Sequence, residues 1–169
     1  LRKFQLEIAE DKTKIISFGR FAERDSNRIG QGKPPTFDFL GFTHYCSKSK
    51  KGTFRVKRKS SRKKVSAKLK KHKEWLKANR TMDIKDIMSR INRSLTGYYN
   101  YYCITDNLQN VENFEYRVRL LLFKWLNRRS QRKSFSWDKF NLFLRKYPLR
   151  KPKTKVNIYH LKKEISYIL

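Results

Sequence analysis

The spacing of hydrophobic residues along this chain changes near residue 60. Before that point, residues 37–46 alternate aromatic and polar side chains, and residues 53–59 alternate again after a short turn that contains Gly52. Two such runs joined by a Gly-containing turn predict a β-hairpin. Because both sides of the first run carry apolar groups, we expect that strand to be buried on both faces.

Beyond residue 60 the apolar residues recur every three or four positions, which predicts helices. We expect four, beginning after Ser60 or Ser61, at about Asp83, at about Val111 and after Ser136, with Pro148 ending the last. Their apolar faces comprise Val65, Leu69, His72 and Leu76; Ile84, Ile87, Met88, Ile91, Leu95 and Tyr98; Phe114, Val118, Leu121, Leu122 and Trp125; and Trp137, Phe140, Leu144 and Tyr147.

This pattern predicts a mostly α fold with a small β element. Residues 19–36 contain three glycines and two prolines among charged residues, and we interpret them as a loop. A short strand is expected at 155–159. The domain boundaries that follow are 1–59 for the β part, 60–148 for a helical bundle and 149–169 for a basic extension.

The charge of the chain indicates its partner. Its 169 residues include 43 Lys+Arg and 14 Asp+Glu, for a formal net charge of +29. Confining so many like charges is unfavourable unless a polyanion neutralises them, and nucleic acid suits Lys, Arg and aromatic rings together. At 38% hydrophobic and 14% aromatic residues, the composition excludes a disordered basic arm.

Other classes of site find little support. Cys46 and Cys103 form no C-x-x-C pair, so a zinc site is not expected, and reduced thiols of a cytosolic protein are the simpler interpretation. Asp83 and Asp86 fall in the first turn of a helix, where carboxylates oppose the helix dipole. There is no apolar run of membrane-spanning length and no P-loop. We therefore expect no catalytic or metal-binding residues in this chain.

Two clusters of cations are candidate phosphate-binding sites, although a charge run is often only a solvated face. The first bridges the second strand and the first long helix, and the second lies between the last two helices, where Arg favours bidentate phosphate contacts. The first cluster comprises Arg55, Lys57, Arg58, Lys59, Arg62, Lys63 and Lys64, and the second comprises Arg128, Arg129, Arg132 and Lys133.

A tyrosine-rich segment is the third candidate. Tyr98, Tyr99, Asn100, Tyr101 and Tyr102 follow Arg93 and Gly97 on one predicted helix. Since one helix cannot bury all four rings, at least one ring or hydroxyl should reach the surface beside Arg93. Stacking on bases or sugars and packing against a neighbouring helix are both open interpretations.

Several motifs, in their order and spacing, resemble the group II intron reverse transcriptase/maturase family over nearly the whole chain. Residues 11–15 (DKTKI) are similar to a motif after the catalytic palm strands, and residues 37–42 (FDFLGF) to the F-x-FLGF motif of the palm's last hairpin. Residues 91–102 (INRSLTGYYNYY) resemble the thumb, or maturase, signature, with Tyr98 in place of the commoner Trp.

The resemblance implies the end of a palm followed by a helical thumb. It assigns the primer grip to Phe39, Leu40, Gly41 and Phe42, and a weak general-acid role to Lys12. The family's magnesium-binding Y-x-D-D motif is absent from this chain and is expected just upstream. The chain needs no cofactor of its own by this reasoning, and we expect no polymerase activity from it alone.

The implied partners are group II intron RNA, the template–primer duplex and the rest of the reverse transcriptase, with roles in splicing, RNA-directed DNA synthesis and retrohoming. The implied location is the cytoplasm of a bacterium, or an organelle as the alternative. A different class of protein remains open: a stand-alone RNA-binding module that assists splicing, kept after loss of the polymerase. A ribosome-associated basic protein is the third alternative.

Overall fold

The computed structural model describes residues 13–129 and 135–159. The described elements, in chain order, are α1 (Ala22–Arg28), β1 (Phe37–Phe39), β2 (Phe42–Lys48), β3 (Phe54–Ser60), α2 (Arg62–Ala78), α3 (Ile84–Tyr102), α4 (Leu108–Leu126) and α5 (Trp137–Lys146). They confirm a mostly α fold with a small β element. The described residues divide into two compact units, the first comprising 13–39 and 44–57 and the second 40–43, 58–129 and 135–159.

The three strands form one antiparallel sheet in the order β1-β2-β3. The predicted hairpin of β2 and β3 is confirmed, with Ser49 N donating to the Thr53 carbonyl at 2.8 Å across the turn. The prediction of one strand over 37–46 is wrong, because Leu40 and Gly41 have φ values of 47° and 80° and reverse the chain. Two consecutive positive φ values are typical of a tight two-residue hairpin turn.

The expected burial of this segment on both faces is also wrong. Phe39 and Leu40 are 59% and 68% exposed, and the residues of β2 from Phe42 to Ser47 are only half-buried. The alternation of large side chains was a sound strand signal, but a three-stranded sheet is too small to cover two faces of a strand.

In the first unit, residues predicted to form a loop include the helix α1. Its buried residues are Ala22 and Ser26, four positions apart. Small side chains therefore face inward, and a pattern search for large apolar residues does not detect them. Lys48 on β2 forms an ion pair with Glu23 of α1 at 2.8 Å, and the Cys46 thiol lies 3.6 Å from the Gly19 carbonyl oxygen.

The second unit contains the four predicted helices, and their positions are confirmed within three residues. Both α2 and α3 pack on α4. The predicted apolar faces of these helices supply the core, whose largest fully buried side chains include Phe114, Phe140, Leu76, Ile87, Ile91, Leu95 and Leu122. Trp137 is the main departure, since it is 45% exposed and stacks on Phe123 with ring centroids 4.0 Å apart.

The predicted helix cap at Ser136 is confirmed, since its hydroxyl accepts from Lys139 N at 3.3 Å. Asp83, expected in the first turn of α3, is instead the cap of that helix, and its carboxylate accepts from Lys85 N at 2.7 Å. Ser61 precedes α2 as expected, but its side chain makes no capping hydrogen bond. Ser60 instead joins a buried network with Asn107, described below.

Residues 149–159 run along the second unit as an extended segment, which we call the strap. The predicted strand at 155–159 is wrong, since Val156 makes only an isolated parallel bridge with Ile104. The Asn92 side chain donates to the Pro148 carbonyl at 3.0 Å and accepts from Arg150 N at 2.8 Å, and Tyr99 donates to the Arg150 carbonyl. Side chains of α3 thus supply the partners that a neighbouring strand would otherwise provide.

No helix in the described ranges is long and apolar enough to cross a lipid bilayer. Both Cys46 and Cys103 are free thiols, as expected.

Candidate nucleic-acid interface

One face of α2 carries a row of lysines. Lys64, Lys68 and Lys71 are spaced by four and three residues and so lie above one another along the helix, with Trp75 one turn further. The apolar face of the same helix, with Leu69, His72 and Leu76, is buried in the core. This burial fixes the rotation of α2 and therefore the direction in which the lysines point.

Across from these lysines, α3 presents Arg90, Ser94, Gly97 and Tyr101. These residues also recur at three- and four-residue spacing, on the flank of α3 next to its buried face. A Cβ atom added to Gly97 would meet nothing within 4 Å, so the space above this glycine is open.

The two faces enclose what we call the basic groove, lined by Lys64, Lys68, Lys71 and Trp75 from α2 and by Arg90, Ser94, Gly97 and Tyr101 from α3. One end is a cavity of about 210 Å³ that includes Trp75 and Arg90. The other is a cavity of about 370 Å³ that includes Gly97 and the tyrosines. Lys68 and Lys71 line both cavities, so the two adjoin.

The basic groove holds positive charge without nearby compensation. Among the described residues, none of its lysines nor Arg90 belongs to an ion pair. Partial burial lowers the pKa of Lys68, and the neighbouring Lys71 and Arg90 lower it further. An anion placed between these cations would relieve both effects, since it favours their charged forms.

His72 lies at the floor of the groove. Its Nδ1 donates to the Lys68 carbonyl at 2.9 Å, because that oxygen can only accept, and its ring meets Phe114 edge-on. Burial, aided by the charges of Lys68 and Arg90, lowers the pKa of His72, so the imidazole is neutral at physiological pH. The hydrogen bond to Lys68 and the contact with Phe114 hold the imidazole ring between α2 and α4.

The four tyrosines divide as the helix geometry requires. Tyr98 and Tyr99 are buried, Tyr102 is half-buried and Tyr101 is 50% exposed. The prediction that at least one ring reaches the surface is confirmed. Tyr98 stacks on Phe114 with centroids 4.0 Å apart, and burial raises its pKa to about 12. Tyr98 and Tyr99 are therefore core residues first, while Tyr101 has an accessible face.

The turn at Leu40 and Gly41 is held by the end of α3. The Tyr101 hydroxyl donates to the Leu40 carbonyl at 2.6 Å, and the Phe42 ring packs against Tyr101 and Tyr102 with centroids 5.6 and 5.1 Å away. A Cβ on Gly41 would come within 2.7 Å of the Tyr102 hydroxyl oxygen. Two segments singled out separately in the sequence, 39–42 and 98–102, are thus in contact through residues of the second unit.

The first predicted cation cluster is only partly brought to the groove. Arg55 and Lys57 belong to the first unit, and Arg58, Lys59, Arg62, Lys63 and Lys64 to the second. Lys64 lines the groove, whereas Arg62 and Lys63 precede it by two and one positions and so project from other sides of α2. On α3, Arg93 and Asn100 are exposed but line neither cavity; Arg90 takes the place predicted for Arg93.

The second predicted cluster has intramolecular partners. The Arg128 guanidinium lies 5.3 Å from the centre of the Trp125 ring, and Arg129 donates to the Met82 carbonyl at 2.9 Å, which ties α4 to the loop before α3. Arg132 and Lys133, like Lys12 in the amino-terminal segment, lie outside the described residues.

Sequence reasoning missed Lys68, Lys71, Trp75 and Arg90. The available signal was the spacing of Lys64, Lys68 and Lys71 along one helix face. This spacing does not stand out in the sequence because α2 carries lysines on several faces. The density of cations along the chain is instead greatest at residues 55–64. Only the position of α3 shows which lysines face a second set of polar residues.

The described residues do not fit a magnesium site, since they contain no group of three or more His, Cys, Asp or Glu side chains that could hold a metal ion. Asp83 caps α3 and Asp86 lies in its first turn, so the helix-dipole interpretation of this pair is confirmed.

Comparison with known proteins gives one match. Residues 62–143 match the family model of the group II intron, maturase-specific domain. No curated protein and no solved structure matches the chain. The matched segment contains every residue of the basic groove, and it supports a group II intron maturase with a role in splicing.

Proposed function

We propose that this protein binds structured intron RNA through the basic groove and thereby assists splicing. The observation that carries the proposal is the groove itself: three lysines and an arginine without acidic partners among the described residues, inside the segment that matches the maturase-specific domain. A polyanion is the partner that such a cluster favours, because neutralising phosphates releases their counterions.

RNA fits this groove better than a small anion does. The lysine row extends over two helical turns, from Lys64 to Lys71, so it can contact successive phosphates along a backbone. Ser94 and Tyr101 add hydroxyl groups on the facing side. Hydroxyls and cations together suit recognition of A-form RNA, which proteins identify by its phosphates and 2′-hydroxyls more than by base sequence.

The test compares two double variants in the full chain, Lys68→Gln/Lys71→Gln and Lys73→Gln/Lys77→Gln. Both remove two positive charges from α2, but Lys73 and Lys77 are exposed on the side of the helix away from the groove. Affinity for a long RNA hairpin is measured by fluorescence anisotropy at several salt concentrations. We expect the groove variant to lower the slope of log affinity against log salt by about 1.5, since each phosphate that is no longer neutralised lowers it by roughly 0.7 to 0.9.

The control variant should keep the wild-type slope to within about 0.4, which is half the effect of one phosphate. Equal losses in the two variants would mean that the chain attracts RNA only by its net charge, and the groove would then not be the site. A wild-type affinity that hardly changes with salt would contradict phosphate binding altogether.

We further propose that the protein binds a template–primer duplex as the thumb of a reverse transcriptase, with the rest of that enzyme as its partner. The observation in favour is the contact of the FLGF turn, through the Leu40 carbonyl, with Tyr101 of the maturase signature. In this proposal Phe39 to Phe42 position the primer end, and RNA-directed DNA synthesis and retrohoming require magnesium and the palm aspartates, which the chain lacks.

The two proposals differ in a direct experiment. The chain alone, given a primed RNA template, magnesium and deoxynucleotides, should bind the template without extending the primer. Adding separately produced fingers and palm of a related enzyme should restore extension if the chain is a thumb, and should change nothing if it is a stand-alone splicing module. Extension by the chain alone would contradict the absence of catalytic residues.

A further inference from the structure

The end of the basic groove at Trp75, which we call the Trp75 pocket, differs in chemistry from the rest of the groove. Its cavity of about 210 Å³ is lined by Lys68, Lys71, His72 and Trp75 of α2 and by Arg90, Ile91 and Ser94 of α3. Cations, a flat aromatic ring and a hydroxyl thus converge on one small space.

The cations of this pocket are placed for a phosphate. Arg90 comes from α3, and Lys68 and Lys71 come from α2, so a group held by all three bridges the two helices. The mutual repulsion of these side chains contributes to the lowered pKa of Lys68. A phosphate between them would replace this repulsion by attraction, and Arg90 could contact it through two N–H groups at once.

A site that binds only phosphate does not need the aromatic and apolar residues of this pocket, Trp75 and Ile91. Trp75 is half-buried and lines the cavity, so part of its side chain faces the open space. Ile91 is 1% exposed and forms an apolar floor. A flat, apolar surface beside cations suits a nucleobase, whose face stacks on aromatic rings while its phosphate meets the charges.

We propose that the Trp75 pocket binds one unpaired nucleotide of the RNA, with its base against Trp75 and its phosphate between Lys68, Lys71 and Arg90. Bases in an A-form duplex are stacked and their faces are covered, so only a nucleotide in a loop, a bulge or an unpaired overhang can enter. The Ser94 hydroxyl offers one hydrogen bond to the base or sugar. The inference rests on RNA binding by the groove and adds that this end distinguishes unpaired from paired RNA.

The test follows each tryptophan separately. The full chain is labelled with 5-fluorotryptophan, and its three tryptophans, Trp75, Trp125 and Trp137, are assigned in ¹⁹F NMR spectra by single Trp→Phe variants. The probes are a single-stranded RNA and a blunt duplex containing the same strand. We expect the single strand to shift the Trp75 signal clearly more than the duplex does, while the signal of the buried Trp125 is unchanged with both.

Affinities complete the design. Trp75→Ala should weaken binding of the single strand about ten-fold or more, the scale of one missing base–aromatic stack, and weaken duplex binding by a clearly smaller factor. Trp75→Phe keeps an aromatic ring and should retain most of the single-strand affinity. It also serves as the folded reference should the alanine variant prove unstable, with circular dichroism reporting on the fold of both.

The outcomes separate this inference from RNA binding itself. A Trp75 signal that moves equally with single strand and duplex, or an alanine variant that weakens both equally, overturns the unpaired-nucleotide pocket. Duplex binding with its salt dependence intact would at the same time keep the groove as an RNA site. If the wild-type chain showed no salt-dependent binding to either the single strand or the duplex, both proposals would be overturned.

Discussion

At the scale of single residues, His72 shows how burial makes a histidine a source of pH dependence. It is 5% exposed, and burial together with Lys68 and Arg90 lowers its pKa from 6.5. A group whose folded-state pKa is lowered takes up more protons when the chain unfolds. Its contribution to stability is therefore complete above pH 6.5 and is lost as the pH falls below that value.

We expect His72→Gln to flatten this dependence. Melting temperatures measured from about pH 8 to about pH 5 should fall more steeply for the wild type than for the variant. Parallel curves for the two proteins would show that protonation of His72 is not linked to unfolding. The comparison isolates His72 because the other two histidines are present in both proteins.

Asn107 is a second residue whose side chain does more than fill space. It is completely buried, its Oδ1 accepts from Ser60 N at 2.7 Å, and its Nδ2 donates to the Ser60 hydroxyl at 2.7 Å and to the Tyr102 carbonyl at 2.8 Å. The amide thereby joins the ends of β3 and α3 to the start of α4.

We expect Asn107→Ala to lower the free energy of unfolding by about 3 kcal/mol, because it leaves the Ser60 N–H buried without this partner. Chemical denaturation measures the change. Asn113→Ala, at an exposed position of α4, is the matched control and should stay within about 0.5 kcal/mol of the wild type. Similar losses for both variants would argue against the network as the cause.

At the scale of elements, the strap shows how a segment without a strand pattern is ordered by helix side chains. Asn92 pairs with the backbone on either side of Leu149, which is itself buried, and Lys155 N donates to the Cys103 carbonyl at 2.7 Å. These hydrogen bonds fix the backbone of the strap, so the exposed side chains of Arg150, Lys153 and Lys155 lie along the surface of the helical unit.

Replacing Asn92 by Ala should release the strap without unfolding the bundle. The variant removes two hydrogen bonds to the strap backbone, at roughly 1 kcal/mol each. Trypsin should then cleave after Arg150 and Lys153 faster than in the wild type, while the circular dichroism of the helices is retained. Asn100→Ala, exposed on the same helix, should leave cleavage unchanged. Unaltered cleavage in Asn92→Ala would indicate that the other contacts of the strap, such as buried Leu149 and the Tyr99–Arg150 hydrogen bond, hold it without Asn92.

The helices and strands also differ in how well the spacing of hydrophobic residues predicted them. Helices α2 to α5 were predicted because each buries large side chains at helical spacing against the same core. Helix α1 was missed because Ala22 and Ser26 carry its buried face. The turn at Leu40 was missed because a leucine rarely adopts φ 47°, and nothing local signals it except the following glycine.

At the scale of the whole molecule, a net charge of +29 must weaken the folded state by self-repulsion. Glu23, Asp25, Glu74 and Glu115 form ion pairs with cations, and each of these pairs includes a well-exposed lysine or arginine. Such pairs stabilise a protein little. Screening by salt or neutralisation by a polyanion should therefore raise stability.

We expect the melting temperature to rise with sodium chloride over the range in which the Debye length contracts from about 30 Å to about 10 Å. A gain of roughly 1 kcal/mol would appear as about 3 °C in a chain of this size. Heparin added at constant ionic strength should raise it further, by binding the folded state. A melting temperature that falls on adding salt would contradict self-repulsion as the dominant electrostatic effect.

The sequence by itself determined the fold class, the helical core, the likeness to maturases and the excess of positive charge, because each follows from local spacing, motif order or composition. The tertiary structure decided which cations converge. Lys68 and Lys71 are two lysines among many along α2, and Arg90 stands alone in the sequence. They line one cavity because α2 and α3 both pack on α4. A groove is a relation between two helices, and no pattern within either one contains it.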